Sequence, residues 1–256
     1  MAMTDPQPSG AFEWIQEPWG RALRCARLPA RHLFTSNDVT LRDDPSEWSA
    51  VAASLGVARD RLLLIRQVHG TEAAIVRRGW TPPWERPQAD VIVTDEPSVA
   101  IGVRVADCAP VLLFDRKTGA AGAAHAGWRG TAAGAGPSAL DTMRRTFGTD
   151  PADVIAVVGP CLGACCGEVG PDVVDAFRRG GASAASIDAW FAAGRDDRLQ
   201  LDLERANRDQ LEHAGVNAAS IFTSGLCTKT CHERLHSYRA ARDAAGRSVG
   251  AIRAQS

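Results

Sequence analysis

The chain has 256 residues, of which 45% are hydrophobic and 23% are charged, proportions that argue against a disordered or collagen-like protein. Its 29 basic and 30 acidic residues give a net charge of -1, which argues against a nucleic-acid-binding protein that depends on bulk positive charge. No apolar run approaches the roughly 18 residues of a membrane span, and the start, MAMTDPQPSG, does not resemble a signal peptide. We therefore expect a soluble cytoplasmic protein whose partners include neither a nucleic acid nor a membrane.

The amino-terminal part of the chain predicts a leader, several short strands and one helix. Residues 1–10 lack hydrophobic periodicity, so we expect a disordered leader there and a single domain over residues 11–256. Short apolar stretches between Pro and Gly residues predict strands before residue 42. Ser46 is a candidate N-cap for an amphipathic helix that we expect to end at Gly56.

The rest of the chain mixes strands and helices. Apolar runs of strand length occupy residues 62–70, 89–94, 99–105, 111–114, 120–124, 154–158 and 220–222. Helical patterns occupy residues 132–147, a segment that starts at Pro171, and residues 203–214. Because several strands follow one another without a helix between them, an α+β fold with a mixed sheet fits better than strict β-α alternation. We find no internal repeat and no linker, and therefore predict one domain.

Four of the predicted strands end beside a cysteine or a histidine, and these ends carry the candidate chemistry. They read QVHG, ADCAP, HAGWRG and GPCLGACC. Loops at strand ends are where a rigid sheet usually presents reactive groups. His69, Cys108 and His125 come from the first three of these ends. They are too far apart in sequence for a local zinc knuckle, but a folded sheet can bring them together.

Three interpretations of His69, Cys108 and His125 stay open from spacing alone. Two imidazoles and a thiolate are a good zinc set, which leaves a fourth position for water or substrate and can polarise an oxygen. Alternatively, Cys108 is a nucleophile with one of the histidines as its base. The third interpretation is a pair of hydrogen-bonded histidines beside a small buried cysteine. Copper is less expected than zinc, because none of the six histidines forms the H-x-H pairs of copper oxidases.

Arg129 is the candidate anion-binding residue. It lies on a loop opened by Gly127 shortly after His125, and a guanidinium there suits a phosphate or carboxylate through two parallel hydrogen bonds. A surface arginine is the alternative. The segment GPCLGACCGEVG precedes a predicted helix and can hold an anion through backbone N–H groups, although it lacks the Lys-Ser/Thr ending of a phosphate loop.

The chain has seven cysteines, and disulfides are not expected in a long cytoplasmic chain. The C-x-x-C motif is absent, as is the H-x-E and P-C-x-x-C signature of zinc deaminases. Two groups are predicted to pack structurally or to support the site: Cys161, Cys165 and Cys166 in the glycine-rich segment, and Cys227 and Cys231 before His232. A metal site made by the second group is the alternative.

Several segments, all in a fixed order, resemble those of the YfiH family. This family is also described as laccase-like polyphenol oxidase, purine nucleoside phosphorylase or peptidoglycan editing factor. The segments are RQVHG, ADCAPVLL, HAGWRG, GPCLGACCGEVG, DLERANRDQL, and LCTKTC followed by HSYR and AGR. The resemblance extends from about residue 31 to 253. It implies one α+β domain with mixed sheets in a four-layer αββα arrangement, similar to the catalytic domain of cytotoxic necrotizing factor.

The resemblance also implies a site and an activity. The zinc ligands become His69, Cys108 and His125. The implied reactions are phosphorolysis of adenosine, inosine and S-methyl-5′-thioadenosine, and deamination of adenosine, so a nucleoside and phosphate are the expected partners. Cys108 and His125 would act at the zinc, Asp107 would orient a ligand or relay a proton, and Arg129 would bind phosphate.

This chain departs from the family pattern at two positions and in one stretch. Gly167 stands where the family usually has Tyr, and His232 stands where Asn is common. The stretch HLFTSNDVTLRDDP matches the family only loosely.

Three other functions would use the same candidate site of His69, Cys108 and His125. They are a Cys108 hydrolase that acts on a cell-wall precursor, a laccase-like polyphenol oxidase, and a non-catalytic protein that senses zinc or redox state.

Overall fold

The computed structural model describes residues 5–256 of the chain. Its strands are β1 (Phe12–Glu17), β2 (Gly20–Cys25), β3 (His32–Thr35), β4 (Leu62–Leu64), β5 (Ala73–Val76), β6 (Val91–Thr94), β7 (Ala100–Val105), β8 (Ala109–Asp115), β9 (Ala121–Ala126), β10 (Val154–Val158), β11 (Glu168–Val169), β12 (Phe191–Ala193), β13 (Leu199–Leu201), β14 (Ile221–Thr223) and β15 (Ser248–Arg253). Its α-helices are α1 (Pro45–Ser54), α2 (Trp128–Ala133), α3 (Ala135–Phe147), α4 (Pro171–Arg179), α5 (Ala184–Trp190), α6 (Leu203–His213) and α7 (Tyr238–Ala241). Within the described part, no helix combines the length and apolarity that crossing a bilayer requires.

The strands form two large mixed sheets and one small sheet. The first sheet has the order β1-β2-β3-β15-β7-β4 and is antiparallel except for the parallel pair β4 and β7. The second has the order β14-β10-β8-β9-β6-β5, in which β10 with β14 and β5 with β6 are parallel. A three-stranded sheet, β11-β13-β12, is not paired with either large sheet but packs into the core cluster of the second one. The predicted α+β class with mixed sheets is therefore confirmed.

Strand β8 shows why the central strands are continuous apolar runs. Successive side chains of a strand point to opposite faces of the sheet. Leu112 and Phe114 join a core cluster that contains residues of both large sheets. Val111 and Leu113 join a different cluster, made with the helices on the other face of the second sheet. Because both faces of β8 are buried, both sets of side chains must be apolar.

Helices cover the outer faces of the two large sheets. On the first sheet, Trp48 and Val51 of α1 and its C-cap residue Leu55 pack with Leu33 and Leu64. On the second sheet, the apolar sides of α3, α4 and α6 share one core cluster with the strands. The four-layer order and the likeness to cytotoxic necrotizing factor stay predictions.

The structure corrects several predicted elements. The helix predicted over 132–147 is two helices, because Gly134 adopts a left-handed conformation with φ of 83° between α2 and α3. The N-cap of α1 is Asp44, whose carboxylate accepts the N–H of Ser46, so Ser46 itself is not the cap. The strand predicted over 62–70 ends at residue 64. Seven elements were not predicted: β5, β11, α5, β12, β13, α7 and β15.

The predicted leader, residues 1–10, is only partly described. Residues 1–4 lie outside the described residues. Beyond them the structure departs from the prediction of disorder, because Asp5 pairs with Arg21 at 2.8 Å and the indole N–H of Trp14 donates to the carbonyl of Pro6. The backbone N–H of Ser9 donates to Ser224 at 2.9 Å. These contacts attach residues 5–9 to the first sheet and to the loop after β14.

His32 gives the fold a defined response to acid. Its Nε2 accepts the N–H of Cys25 at 3.0 Å, and its Nδ1 hydrogen donates to the carbonyl of Ala30 at 2.7 Å. Burial lowers the pKa of His32 from 6.5 to about 4. A second ring proton, on Nε2, would also face the N–H that Cys25 donates. The unfolded chain therefore binds a proton in a range of pH in which the folded chain does not.

We expect the free energy of unfolding to fall as the pH decreases from 6.5 to about 4, by about 3 kcal/mol in total from this residue. Above pH 6.5 His32 contributes no pH dependence. Urea unfolding of the wild type and His32→Gln between pH 4 and 8 measures it. Gln can still accept from Cys25 but does not titrate, so equal slopes in the two proteins would contradict the assignment.

Candidate metal centre and its cavity

His69, Cys108 and His125 converge in the folded chain. Their potential ligand atoms all lie within 4.8 Å of one another. The two imidazole rings meet edge to face, with centroids 4.9 Å apart and planes at 70°. His69 is exposed, Cys108 is half-buried and His125 is buried, so the cluster closes the floor of a cavity and still faces solvent. The structure thus brings together three residues that are distant in sequence.

The backbone near each residue explains this convergence. His69 follows β4 in a turn where its own φ is 64°, and Cys108 occupies the turn between β7 and β8. His125 lies on β9 opposite Pro110 of β8, which places it beside that turn. Gly127 is required here, because a Cβ at this position would lie 2.6 Å from the Cys108 sulfur. The glycine of the HAGW segment therefore leaves space for the thiol.

Asp90, which the sequence analysis missed, organises the cluster. Its fully buried carboxylate accepts the His125 Nδ1 hydrogen at 2.8 Å. The same carboxylate accepts the N–H groups of Val68, His69 and Gly70 at 3.1, 3.0 and 2.7 Å. It therefore fixes the His125 tautomer, leaving Nε2 for the cluster, and also holds the turn that carries His69. The only signal in the sequence was an acidic residue directly before an apolar strand.

Hydrogen bonds set the protonation states in the cluster. Burial alone would raise the pKa of Asp90, but the bonds from His125 and from two backbone N–H groups hold it below its usual range. Burial likewise opposes the charged form of Cys108, yet bonds with His125 and then His69 lower the pKa of its thiol to about 7. Against its burial, Asp90 and then Cys108 raise the pKa of His125 to about 9. Near neutral pH the metal-free cluster therefore favours a Cys108 thiolate beside a His125 imidazolium, and a bound metal ion would displace the Nε2 proton of His125.

These donors fit a zinc ion. One thiolate and two imidazoles are ligands that zinc accepts, with bonds of about 2.3 Å to sulfur and about 2.0 to 2.1 Å to nitrogen. Three donors within 4.8 Å of one another can close around such an ion with small side-chain movements. The hydrogen bond from His125 to Asp90 is the partner that a metal-bound histidine commonly has.

The cluster opens into a cavity of about 1060 Å³ with a charged wall. Five arginines line the cavity: Arg42, Arg66, Arg86, Arg104 and Arg247. Three acidic side chains line it as well: Asp43, Glu85 and Asp243. Tyr238, whose side chain is exposed, adds an aromatic surface. This lining suits a small ligand that carries both an anionic group and a planar ring.

Arg104 is the cavity arginine with a buried nitrogen that is available to an anion. Its Nε is buried without a hydrogen-bond acceptor, while one of its terminal nitrogens donates to the carbonyl of Leu41 at 2.9 Å. Burial and then the nearby charges of Arg247 and Arg86 lower its pKa. These positive charges repel one another, and an anion bound between them would relieve that repulsion. None of these cavity arginines was predicted as a site residue. Arg66 begins the RQVHG segment and Arg247 ends AGR, but no local pattern shows that these separate segments share a cavity.

Arg129 lies outside this cavity. It occupies the first turn of α2, its side chain is exposed, and its guanidinium stacks on the Trp128 ring at 4.2 Å from the centroid. It is absent from the residues that line the cavity. The structure therefore does not place Arg129 over the cluster, because α2 directs it to solvent.

Asp107 is also turned away from the cluster. Its φ of 82° directs the carboxylate to the carboxyl-terminal segment, where Oδ1 accepts from Thr228 at 2.6 Å and from Ser237 at 2.7 Å. Its Oδ2 accepts the backbone N–H of Arg239 at 2.5 Å. With both oxygens engaged, Asp107 connects the Cys108 turn to the segment that carries Tyr238. This geometry favours positioning over the predicted proton relay.

The fold and the site together define a single-domain α+β protein with a candidate metal centre at the floor of a cavity. The family model described as multi-copper polyphenol oxidoreductase laccase matches residues 40–255. The chain belongs to this family, which is the YfiH family that its motifs resemble.

Known relatives agree with this assignment. A purine nucleoside phosphorylase of Deinococcus radiodurans is 37% identical over 237 residues, which cover 85% of this chain and 86% of the relative. The adenosine deaminase RL5, from an unknown prokaryotic organism, is 33% identical over 195 residues, 74% of this chain and 73% of the relative. The crystal structure of YlmD from Geobacillus stearothermophilus matches with a TM-score of 0.81 and 26% identity, over 95% of this chain and 99% of that one.

Proposed function

We propose that this protein is a zinc-dependent purine nucleoside phosphorylase that also deaminates adenosine. Its proposed substrates are adenosine, inosine and S-methyl-5′-thioadenosine, with phosphate as the second substrate. The observation that carries the proposal is the convergence of His69, Cys108 and His125 at the floor of a cavity lined by arginines. Relatives named purine nucleoside phosphorylase and adenosine deaminase support the two reactions.

The donor set favours zinc over the copper of the family description. Within residues 5–256, only two of the six histidines, His69 and His125, belong to the cluster. A multi-copper centre needs many more imidazoles. A zinc ion bound here would supply Lewis acidity. Cys108 and the two histidines would hold it, and Asp90 would orient His125.

The cavity wall would position both substrates. Arg104, with its unpaired Nε, would hold phosphate together with Arg247, since a guanidinium matches a phosphate through parallel hydrogen bonds. The exposed ring of Tyr238 would contact the purine, and the carboxylates of Asp43 and Glu85 would accept from ribose hydroxyls. Asp107 would act indirectly, by holding the segment of Tyr238 in place.

A second candidate uses the same cluster without a metal. The lowered pKa of Cys108, about 7, suits a thiolate nucleophile with a histidine beside it, as in a hydrolase that acts on a cell-wall precursor. The two candidates differ in their response to chelation, because only the first requires an ion at the cluster.

Product analysis tests the proposal. Purified protein, with its metal content measured, is incubated with adenosine in the presence and absence of phosphate. We expect inosine and ammonia without phosphate. With phosphate we expect adenine, ribose 1-phosphate and ammonia, with the inosine partly converted to hypoxanthine. Removal of the metal should abolish all products. Full turnover by metal-free protein, or conversion of muropeptide precursors but not of nucleosides, would reject it.

Arg104→Ala should selectively impair phosphorolysis. Loss of a charged hydrogen bond of about 1.5 to 3 kcal/mol predicts a rise of about 10- to 150-fold in the KM for phosphate. Deamination, which uses no phosphate, should change much less. Arg129→Ala is the matched control and should leave the ratio of the two activities unchanged. Equal losses of both activities in Arg104→Ala, or a selective loss in Arg129→Ala, would contradict the assignment.

A further inference from the structure

A second group of thiols lies outside the cavity. The sulfurs of Cys165, Cys166 and Cys227, here called the thiol cluster, all lie within 4.8 Å of one another. Cys165 is exposed, Cys166 is half-buried and Cys227 is buried. None of them lines the cavity of the first site. The proposed reaction therefore leaves these three thiols without a role.

Backbone pairing brings the two parts of the thiol cluster together. Cys161 and Cys227 form a parallel bridge, in which the N–H of Cys161 donates to Leu226 and the N–H of Thr228 donates to Cys161. The chain after Cys161 then turns back over Cys227. Gly163 permits this approach, because a Cβ there would lie only 3.0 Å from the Cys227 Cβ.

The spacing of the sulfurs matches a metal ion bound by thiolates. A tetrahedral zinc ion with bonds of about 2.3 Å to sulfur separates its sulfur ligands by about 3.8 Å. The sulfurs of Cys165 and Cys166 are 3.8 Å apart. In the metal-free chain this contact is a hydrogen bond between the two thiols, and two thiolates bound to one ion would keep the same separation.

The electrostatics of the cluster also favour a cation. Burial and then the neighbouring Cys227 raise the pKa of the Cys165 thiol to about 12. In contrast, hydrogen bonds from the Thr230 and Gly163 backbone outweigh burial and lower the pKa of Cys227. The surroundings thus favour the charged form of Cys227 and disfavour that of Cys165 beside it. A soft cation removes this repulsion, because it replaces the protons with a shared positive charge.

We propose that Cys165, Cys166 and Cys227 form a second metal site, which binds one thiophilic d10 ion, with zinc(II) as its probe. Solvent completes the coordination on the exposed side of Cys165. Binding would stabilise the segment that follows Cys227, in which Thr228 donates to Asp107 beside Cys108. The second ion thus supports the wall of the first site, without contact with the substrate.

The test is the metal stoichiometry of the full chain, prepared metal-free under reducing conditions and titrated with zinc(II). Native mass spectrometry should find two ions per wild-type chain. Cys165→Ser and Cys227→Ser should each retain one, and Cys108→Ala should also retain one, from the other site. Cys231→Ser is the matched control, since Cys231 neighbours the cluster but is not part of it, and it should retain two.

Cadmium(II) provides a second readout that reports on sulfur directly. Cys108 and the thiol cluster together offer four thiolates, each of which contributes to the ultraviolet charge-transfer absorption of bound cadmium. This absorption should fall by about three quarters in Cys165→Ser, which loses the ion of the thiol cluster, and by about one quarter in Cys108→Ala. Cys165 is exposed, so its variant should fold even if a Cys227 variant does not. The difference between the wild type and Cys165→Ser isolates the thiol cluster, so an equal number of bound ions in the two proteins would overturn the proposal whatever happens at the first site.

Discussion

Cys108→Ala should abolish nucleoside turnover and remove the ion held with His69 and His125. The thiolate supplies the only negative charge among the three ligands, and two imidazoles alone make a weak site. The loss of metal affinity should exceed the roughly 10- to 100-fold that loss of a residue orienting a ligand usually costs. Turnover of adenosine and zinc content by mass spectrometry measure the two effects.

The zinc ion at His69, Cys108 and His125 must be distinguished from one bound by the thiol cluster. The Cys165→Ser background removes the second ion, so the remaining zinc content reports on the first site. His69→Ala in that background should behave like Cys108→Ala, because either change leaves two ligands. Stoichiometric zinc with full turnover in the Cys108 variant would show that Cys108 is not a ligand. Retained zinc with lost turnover would instead assign it a role as a nucleophile or an acid–base group.

Asp90→Ala should both weaken metal binding and destabilise the fold. Its carboxylate holds His125 and the backbone of the turn at residues 68–70. Loss of the orienting bond predicts about 10- to 100-fold lower zinc affinity. Removing one partner of a buried ionic group predicts a decrease of about 3 to 5 kcal/mol in the free energy of unfolding.

A conservative variant separates the two effects of Asp90. Asp90→Asn keeps the side-chain volume, but its amide NH2 would face N–H groups that the carboxylate accepts in the wild type. We therefore expect zinc affinity to fall while the fold survives. Asp95→Asn is the matched control. Asp95 directly follows β6, the strand that Asp90 precedes, and its carboxylate accepts a single N–H, from Arg78. If Asp90→Asn binds zinc as tightly as the wild type, the His125 tautomer does not depend on Asp90.

The central strands and the candidate metal ligands were accessible from sequence because each leaves a local pattern. A strand such as β10, buried on both faces, must be apolar at every position, and its predicted bounds, residues 154–158, agree with the structure. His69, Cys108 and His125 each end or follow such a run. Strand ends gather at one edge of a sheet, so their convergence followed from the pattern together with the family resemblance.

Features that depend on partners distant in sequence were not accessible in this way. Strand β15, SVGAIR, has a weak pattern of its own, and it forms because β3 and β7 pair with it on both sides. The split between α2 and α3 occurs at Gly134, which adopts a left-handed conformation. The helical pattern alone does not show whether a glycine ends a helix or is tolerated inside it.

At the site, the sequence by itself determined which residue types are available to bind a metal, and tertiary structure decided their partners and directions. Asp90 meets His125 across two strands, and Arg104 reaches the cavity that Arg129 does not. Cys165 and Cys227 meet only because two loops pair through their backbones. The reason is physical: a side chain's type is local, but its direction, its burial and the charges around it depend on every element packed against it.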